Sequence, residues 1–94
     1  MKQIDNLVVN GRRWFDKRWG NTYHSCDVLV DSELVGRTDY EYGYGDCYRQ
    51  TAFNLLQQAG YFEDGSYSDF VDWCREDYKR AMFFVSDVGR KKDL

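Results

Sequence analysis

The chain has 94 residues, enough for one domain with a single core of modest stability. Its net charge of −3 argues against bulk coating of nucleic acid, and no apolar run is long enough to form a membrane span or a signal-peptide core. Hydrophobic residues at 43% and charged residues at 31% are ordinary for a globule, but aromatic residues at 18% are plentiful, which suits either core volume or a contact surface.

The sign of the charge is unevenly spread. Arg12, Arg13, Lys17 and Arg18 cluster early, Arg90, Lys91 and Lys92 lie near the end, and most of the remainder is acidic. A local basic patch therefore remains open. Cys26, Cys47 and Cys74 are odd in number, widely spaced and free of any Cys-x-x-Cys or His pair. That pattern implies reduced, mostly buried thiols in a reducing compartment, with no disulfide framework, no metal ligand set and no cofactor.

Leu7, Val8 and Val9 begin a β-prone run that meets Asn10 and Gly11, a pair suited to a tight turn or a bulge. Three residues make a poor strand alone, so the strand is expected to continue past a glycine bulge to Asp16. Trp19, Gly20 and Asn21 then supply a turn. From Tyr23 to Val30 the alternation is clear, with Cys26, Val28 and Val30 on one face and Ser25 and Asp27 on the other. His24 falls on the apolar side. Asp31 to Glu33 turn the chain, and Leu34 to Tyr42 read as a third strand in which Gly36 weakens pairing or permits a close approach. Links this short favour an antiparallel meander.

The stretch Tyr40–Tyr48 joins sheet to helix and gathers four tyrosines around Gly43 and Gly45, the last of them, Tyr48, entering the helix. Asp46 reads as the helix N-cap. Tyr48, Ala52, Leu55, Leu56 and Ala59 form one apolar stripe, and Gly60 stands where a left-handed cap belongs. After the loop from Glu63, Ser66 or Ser68 starts a second helix with Asp69 and Asp72 in its first turns. Phe70, Val71, Cys74, Tyr78 and Ala81 trace its apolar face. Met82 to Val85 leave the helix as a last strand that finishes near Val88, and residues 88–94 read as a frayed basic tail. The expected fold is α+β: an antiparallel sheet of three to four strands with two helices on one face, in the order β-β-β-α-α-β, in one domain over 1–94.

Three groups of residues invite a function. The stretch 12–24 interleaves cations with rings, which suits phosphates and unpaired bases, or an acidic protein partner. Alternation sets Arg12 and Trp14 on one side and Arg13 and Phe15 on the other. The candidate contact residues are Arg12, Arg13, Trp14, Lys17, Arg18, Trp19, Tyr23 and His24, with Tyr42 and Tyr44 from the tyrosine-glycine turn. The competing reading is a strand whose rings pack while its cations are solvated. The turn itself lacks the lysine and spacing of a P-loop, and Asp46 would repel phosphate. Catalysis has little to work with. His24 is the single histidine and could pair with Cys26 or Cys47 as base and nucleophile, but it sits two residues from Cys26 on one strand face, and no strained nucleophile motif surrounds either thiol.

On the segments Asn10–Phe15 (NGRRWF), Gly20–Ser25 (GNTYHS), Tyr42–Asp46 (YGYGD) and Gln50–Ala52 (QTA), and on the close from Asp87 to Leu94, the chain resembles a family of small uncharacterised proteins of phage and prophage genomes. The resemblance spans most of the chain and supplies no site residues. It implies a role in phage physiology or virus–host conflict. Small phage proteins of this kind often inhibit host defence, anti-CRISPR proteins included. The expectation is therefore a non-enzymatic binding protein that docks on a host protein or protein–nucleic acid complex, in the host bacterial cytoplasm and away from membranes. A nucleic-acid-binding module built on residues 12–24 is the alternative, and a small hydrolase or nuclease comes third.

Overall fold

The computed structural model describes residues 4–76 and 81–94. They form an α+β fold: a mixed five-stranded sheet with two helices, in the order β-β-β-β-α-α-β. Strand β1 is Leu7–Asp16, β2 is Asn21–Val30, β3 is Glu33–Arg37, β4 is Glu41–Tyr42 and β5 is Ala81–Asp87; helix α1 is Cys47–Gln58 and α2 is Tyr67–Glu76. The sheet runs β3-β2-β1-β5, with β4 also paired to β2.

Two expectations about the sheet need correction. It is not wholly antiparallel, because β5 pairs parallel with β1, Leu7 opposite Ala81 through Arg13 opposite Asp87. The short-link argument holds for the early hairpins, but the segment carrying α1 and α2 is long enough for a crossover. The third strand is also two strands. Beyond Arg37 the Thr38 hydroxyl accepts the Cys26 N–H at 3.1 Å, taking the place of a ladder carbonyl, and the chain bends before Glu41 and Tyr42 pair with His24 and Tyr23.

Strand β1 passes Gly11 without a bulge, in unbroken register with β2. The glycine serves a close approach instead. A Cβ there would lie 2.6 Å from Cδ2 of Tyr48, whose ring is fully buried against the strand. Gly36 of β3 plays a similar part, since a Cβ would stand 3.2 Å from Leu55 Cδ2. Helix α1 thus seats across β1, β2 and β3 on the face carrying Leu7, Val9, Cys26 and Val28, all fully buried. The stripe is as the spacing indicates for Tyr48, Ala52 and Leu56, which are buried, with Leu55 and Ala59 packed at its margin; Phe53 joins the core as well.

The helix ends differ from one another. Asp46 occupies the N-terminal flank of α1, but its side chain makes no capping bond and lies 4.0 Å from Arg49. Gly60 takes the left-handed conformation expected of it, with φ of 95°. Ser66 and Asp69 cap α2 reciprocally, the Ser66 hydroxyl accepting the Asp69 N–H at 3.2 Å and the Asp69 carboxylate accepting the Ser66 N–H at 2.8 Å. Phe70 anchors α2 in a ring cluster with Phe53, Phe62, Tyr67 and Phe83. Of the other residues assigned to that apolar face, Val71 and Cys74 are half-buried, Ala81 belongs to β5, and Tyr78 lies outside the described residues.

The tail is not frayed. Val88 N–H bonds the Arg13 carbonyl at 2.7 Å, Lys91–Asp93 form a 3-10 turn, and the Lys91 ammonium lies 4.2 Å from the Tyr40 ring centroid. Cation–π contact and a strand continuation hold a segment that composition alone would leave loose.

Gly11→Ala should destabilise the protein by about 1–3 kcal/mol through overpacking against Tyr48. Leu56→Ala should cost about 2–5 kcal/mol through the cavity it leaves. Urea denaturation measures both, and losses below about 0.5 kcal/mol would place neither residue at the helix–sheet contact.

Candidate docking face

Strand alternation gives the sheet a second face, opposite the helices. Arg12 and Trp14 of β1 lie there with Tyr23, Ser25 and Asp27 of β2, Arg37 of β3, Tyr42 of β4 and Met82 and Phe84 of β5. Neither helix packs on it, because α1 meets the sheet at Gly11 and Gly36 and α2 meets it at Phe83, all on the inner face.

One part of this face is an ion ladder. Arg12 donates to Asp27 through Nη1 at 3.2 Å and Nη2 at 3.0 Å, and through Nε to the Ser25 hydroxyl at 3.1 Å. Arg37 approaches the same carboxylate from β3, with Nε at 2.7 Å and Nη2 at 3.4 Å. The two guanidiniums cover Ser25 and Asp27, which are buried despite facing away from the core. Burial pushes the Asp27 carboxyl up, but the hydrogen bonds and charges of Arg12 and Arg37 outweigh it and hold the group below the usual carboxylate range.

The other part is a ring cluster centred on Tyr23. Trp14 stacks on it with centroids 6.0 Å apart, and Tyr40 and Tyr42 meet it edge-on at 5.5 and 5.8 Å. Tyr42 is 67% exposed and Tyr40 45%, so the cluster presents two open rings beside a half-buried pair. Lys91 closes one side over Tyr40.

The residues singled out in the sequence fall into four places. Arg12, Trp14, Tyr23 and Tyr42 come together on this outward face. Arg13, Lys17 and Tyr44 instead line a cavity of about 440 Å³ at the end of the inner face, with Phe15, Thr22 and Asp87. Arg13 is no solvated cation there: it donates to Asp87 at 3.0 Å and to the Gly45 carbonyl at 3.3 Å. Arg18 and Trp19 form the tip of the β1–β2 turn, with the guanidinium 5.5 Å from the indole centroid and the indole 70% exposed. His24 is 2% exposed and out of any partner's reach. Its Nδ1 lies 3.2 Å from the Gly43 carbonyl, which can only accept, so Nδ1 donates; Nε2 lies 2.6 Å from the Thr51 hydroxyl. The histidine fastens the tyrosine-glycine turn and α1 to β2.

Tyr40, Arg37, Phe84 and Lys91 belong to the face although sequence patterning did not select them. The alternation of Met82, Phe84 and Ser86 against Phe83 and Val85 carried the signal for Phe84. For Tyr40 no periodic signal exists, because it sits in the bend between β3 and β4.

The three cysteines are free; Cys26 is buried and Cys74 half-buried, whereas Cys47 is exposed at the start of α1, contrary to the mostly buried expectation. Burial pushes the Cys26 and Cys74 thiols up to about 11. Among the described residues, no group of three or more His, Cys, Asp or Glu side chains could hold a metal ion, and no helix is long and apolar enough to cross a membrane. No protein-family model matches the chain, and neither a curated protein nor a solved structure is found to be similar to it.

The Asp27 ladder has a pH signature. Its depressed folded-state value means that its contribution to stability is complete above the unfolded carboxylate value, about 3.9, and is lost as pH falls through the folded-state value. Asp27→Asn should cost about 1–3 kcal/mol at neutral pH. The gap from wild type should shrink on acidification below about pH 4, as urea denaturation at both pH values would show. An unchanged gap would contradict the ladder.

Proposed function

We propose that this chain is a non-enzymatic binding protein that docks on a host macromolecule through the outward sheet face centred on Tyr23. The observation that carries the reading is the four-ring cluster of Trp14, Tyr23, Tyr40 and Tyr42 beside Arg12 and Arg37, with the Tyr40 and Tyr42 rings exposed. A soluble fold has no internal use for such a surface, whereas aromatic rings and arginines are the residue types that dominate protein interfaces. The resemblance to phage proteins supports the narrower reading, an inhibitor of a host defence system acting in the bacterial cytoplasm. His24 and Cys26 favour binding over chemistry, since both imidazole nitrogens are engaged and the thiol is buried and hard to ionise.

A second reading, direct contact with single-stranded nucleic acid, is favoured by Lys91 over Tyr40 and Arg18 over Trp19, cations set against rings on which bases could stack. The net charge of −3 weakens the non-specific attraction to phosphate that such binding draws on, and places this reading second.

Tyr42→Ala tests the face directly. The residue is exposed, so stability should change by no more than about 1 kcal/mol. Binding to a partner captured from host lysate should weaken at least about tenfold, or about 1.4 kcal/mol, by calorimetry. Unchanged affinity in a folded variant would move the site elsewhere. Tight binding of a single-stranded oligonucleotide that falls steeply with salt, and falls further in Lys91→Ala, would favour the second reading.

A further inference from the structure

We propose that β5 is a homodimer seam, pairing antiparallel with β5 of a second copy of this chain about a two-fold axis at Phe84. This inference is independent of the partner assigned to the Tyr23 face.

Strand β5 ends the sheet, and among the described residues only β1 pairs with it. Among the described residues, its outer edge thus leaves backbone N–H and C=O groups along Ala81–Asp87 without a strand partner. Native edges are ordinarily blunted by proline, lysine, a bulge or shortness. This one has none of these: it is seven residues long, regular in register, and apolar through Val85. Met82, Phe84 and Val85 are 47%, 52% and 38% exposed, a run of apolar surface on a strand that already invites pairing.

A second copy is favoured over an unrelated peptide by self-complementary charge. A groove of about 420 Å³ lies between α2 and β5, lined by Phe70, Val71, Ala81 and Phe83, with Arg49 and Arg75 at its polar rim and, among the described residues, no carboxylate in its lining. The Arg49 guanidinium stands 4.4 Å from the Phe83 ring centroid, and its nearby carboxylate is Asp46 at 4.0 Å. Opposed residues of an antiparallel pair share a face. With the axis at Phe84, Asp87 of the second copy comes opposite Ala81, on the face of the arginine-rimmed groove. Asp87 accepts from Arg13 through Oδ1 at 3.0 Å, and with its side chain 77% exposed it can still meet a second cation. The same register sets Phe83 against the second copy's Val85, and Phe84 against itself on the outward face. Two copies of the ring-bearing outward face then lie on one continuous sheet.

Sedimentation velocity and site-directed cross-linking test this. A seam of one strand and its flanks lies at the small end of stable interfaces, so loading should run from about 1 μM to about 1 mM. The wild-type chain should dimerise in that range, and Phe84→Lys should remain folded and monomeric. In a Cys47→Ser background, Phe84→Cys should form an interchain disulfide readily, because opposed Cα atoms lie about 4.5–5.5 Å apart. Ser86→Cys should not, because the two copies of residue 86 would be about 14 Å apart at four residues' offset. A monomer throughout the range, a dimer that persists in Phe84→Lys, or equal cross-linking at both positions would overturn the proposal.

Discussion

The contact on which the rest depends is the Tyr48 ring lying on Gly11. A sheet and a helix normally meet through interleaved side chains, about 10 Å apart. Here the strand withdraws its side chain entirely, and a whole aromatic ring enters the gap, fully buried. Gly36 repeats the device two strands away beneath Leu55. With glycines on both sides of β2, α1 has a trough to occupy, and its position across β1, β2 and β3 follows. The aromatic cluster around Phe70 then brings α2 down on the same side, over β5.

Placing both helices on one face leaves the other to satisfy itself. At one end it does so electrostatically: a carboxylate on the central part of β2 sits beneath two guanidiniums from the neighbouring strands, so that two side chains facing outward are nevertheless buried. At the other end it uses rings, with Tyr23 ringed by Trp14, Tyr40 and Tyr42. The first arrangement is closed, since the carboxylate receives four hydrogen bonds and has little left to offer. The second is open, because Tyr40 and Tyr42 contribute edges to Tyr23 while much of each ring faces water. The binding role proposed above therefore falls to the ring end of the face.

Much of the fold was legible because its strongest signals are local. The alternation of Cys26, Val28 and Val30, the stripe of Tyr48, Ala52 and Leu56, and the glycine after α1 all depend on near neighbours in the chain, and each stands where the pattern puts it. What was hidden depends on distant partners. Nothing near Gly11 says that Tyr48 will cover it, so a bulge was the natural reading. Nothing near Ala81 says that its strand will run beside β1, and parallel to it. The Thr38 hydroxyl that ends β3 acts on Cys26, and the lysine that orders the tail acts on Tyr40. The same division runs through the candidate site. Alternation rightly put Arg12 and Trp14 on one face, but charge and ring content could not tell Arg12, held by Asp27, from Lys17 at a cavity, or a reachable Tyr42 from the enclosed His24.

Helix α1 seats Tyr48 on Gly11, on the face opposite the Tyr23 cluster, and so leaves the Tyr40 and Tyr42 rings exposed. Paramagnetic relaxation of aromatic ring protons by a soluble agent, observed by NMR on the intact chain, measures both halves at once. Tyr42 and Tyr40 ring signals should broaden strongly while Tyr48 remains sharp. A Tyr48 ring as accessible as that of Tyr42, or a Tyr42 ring as protected as that of Tyr48, would contradict the account.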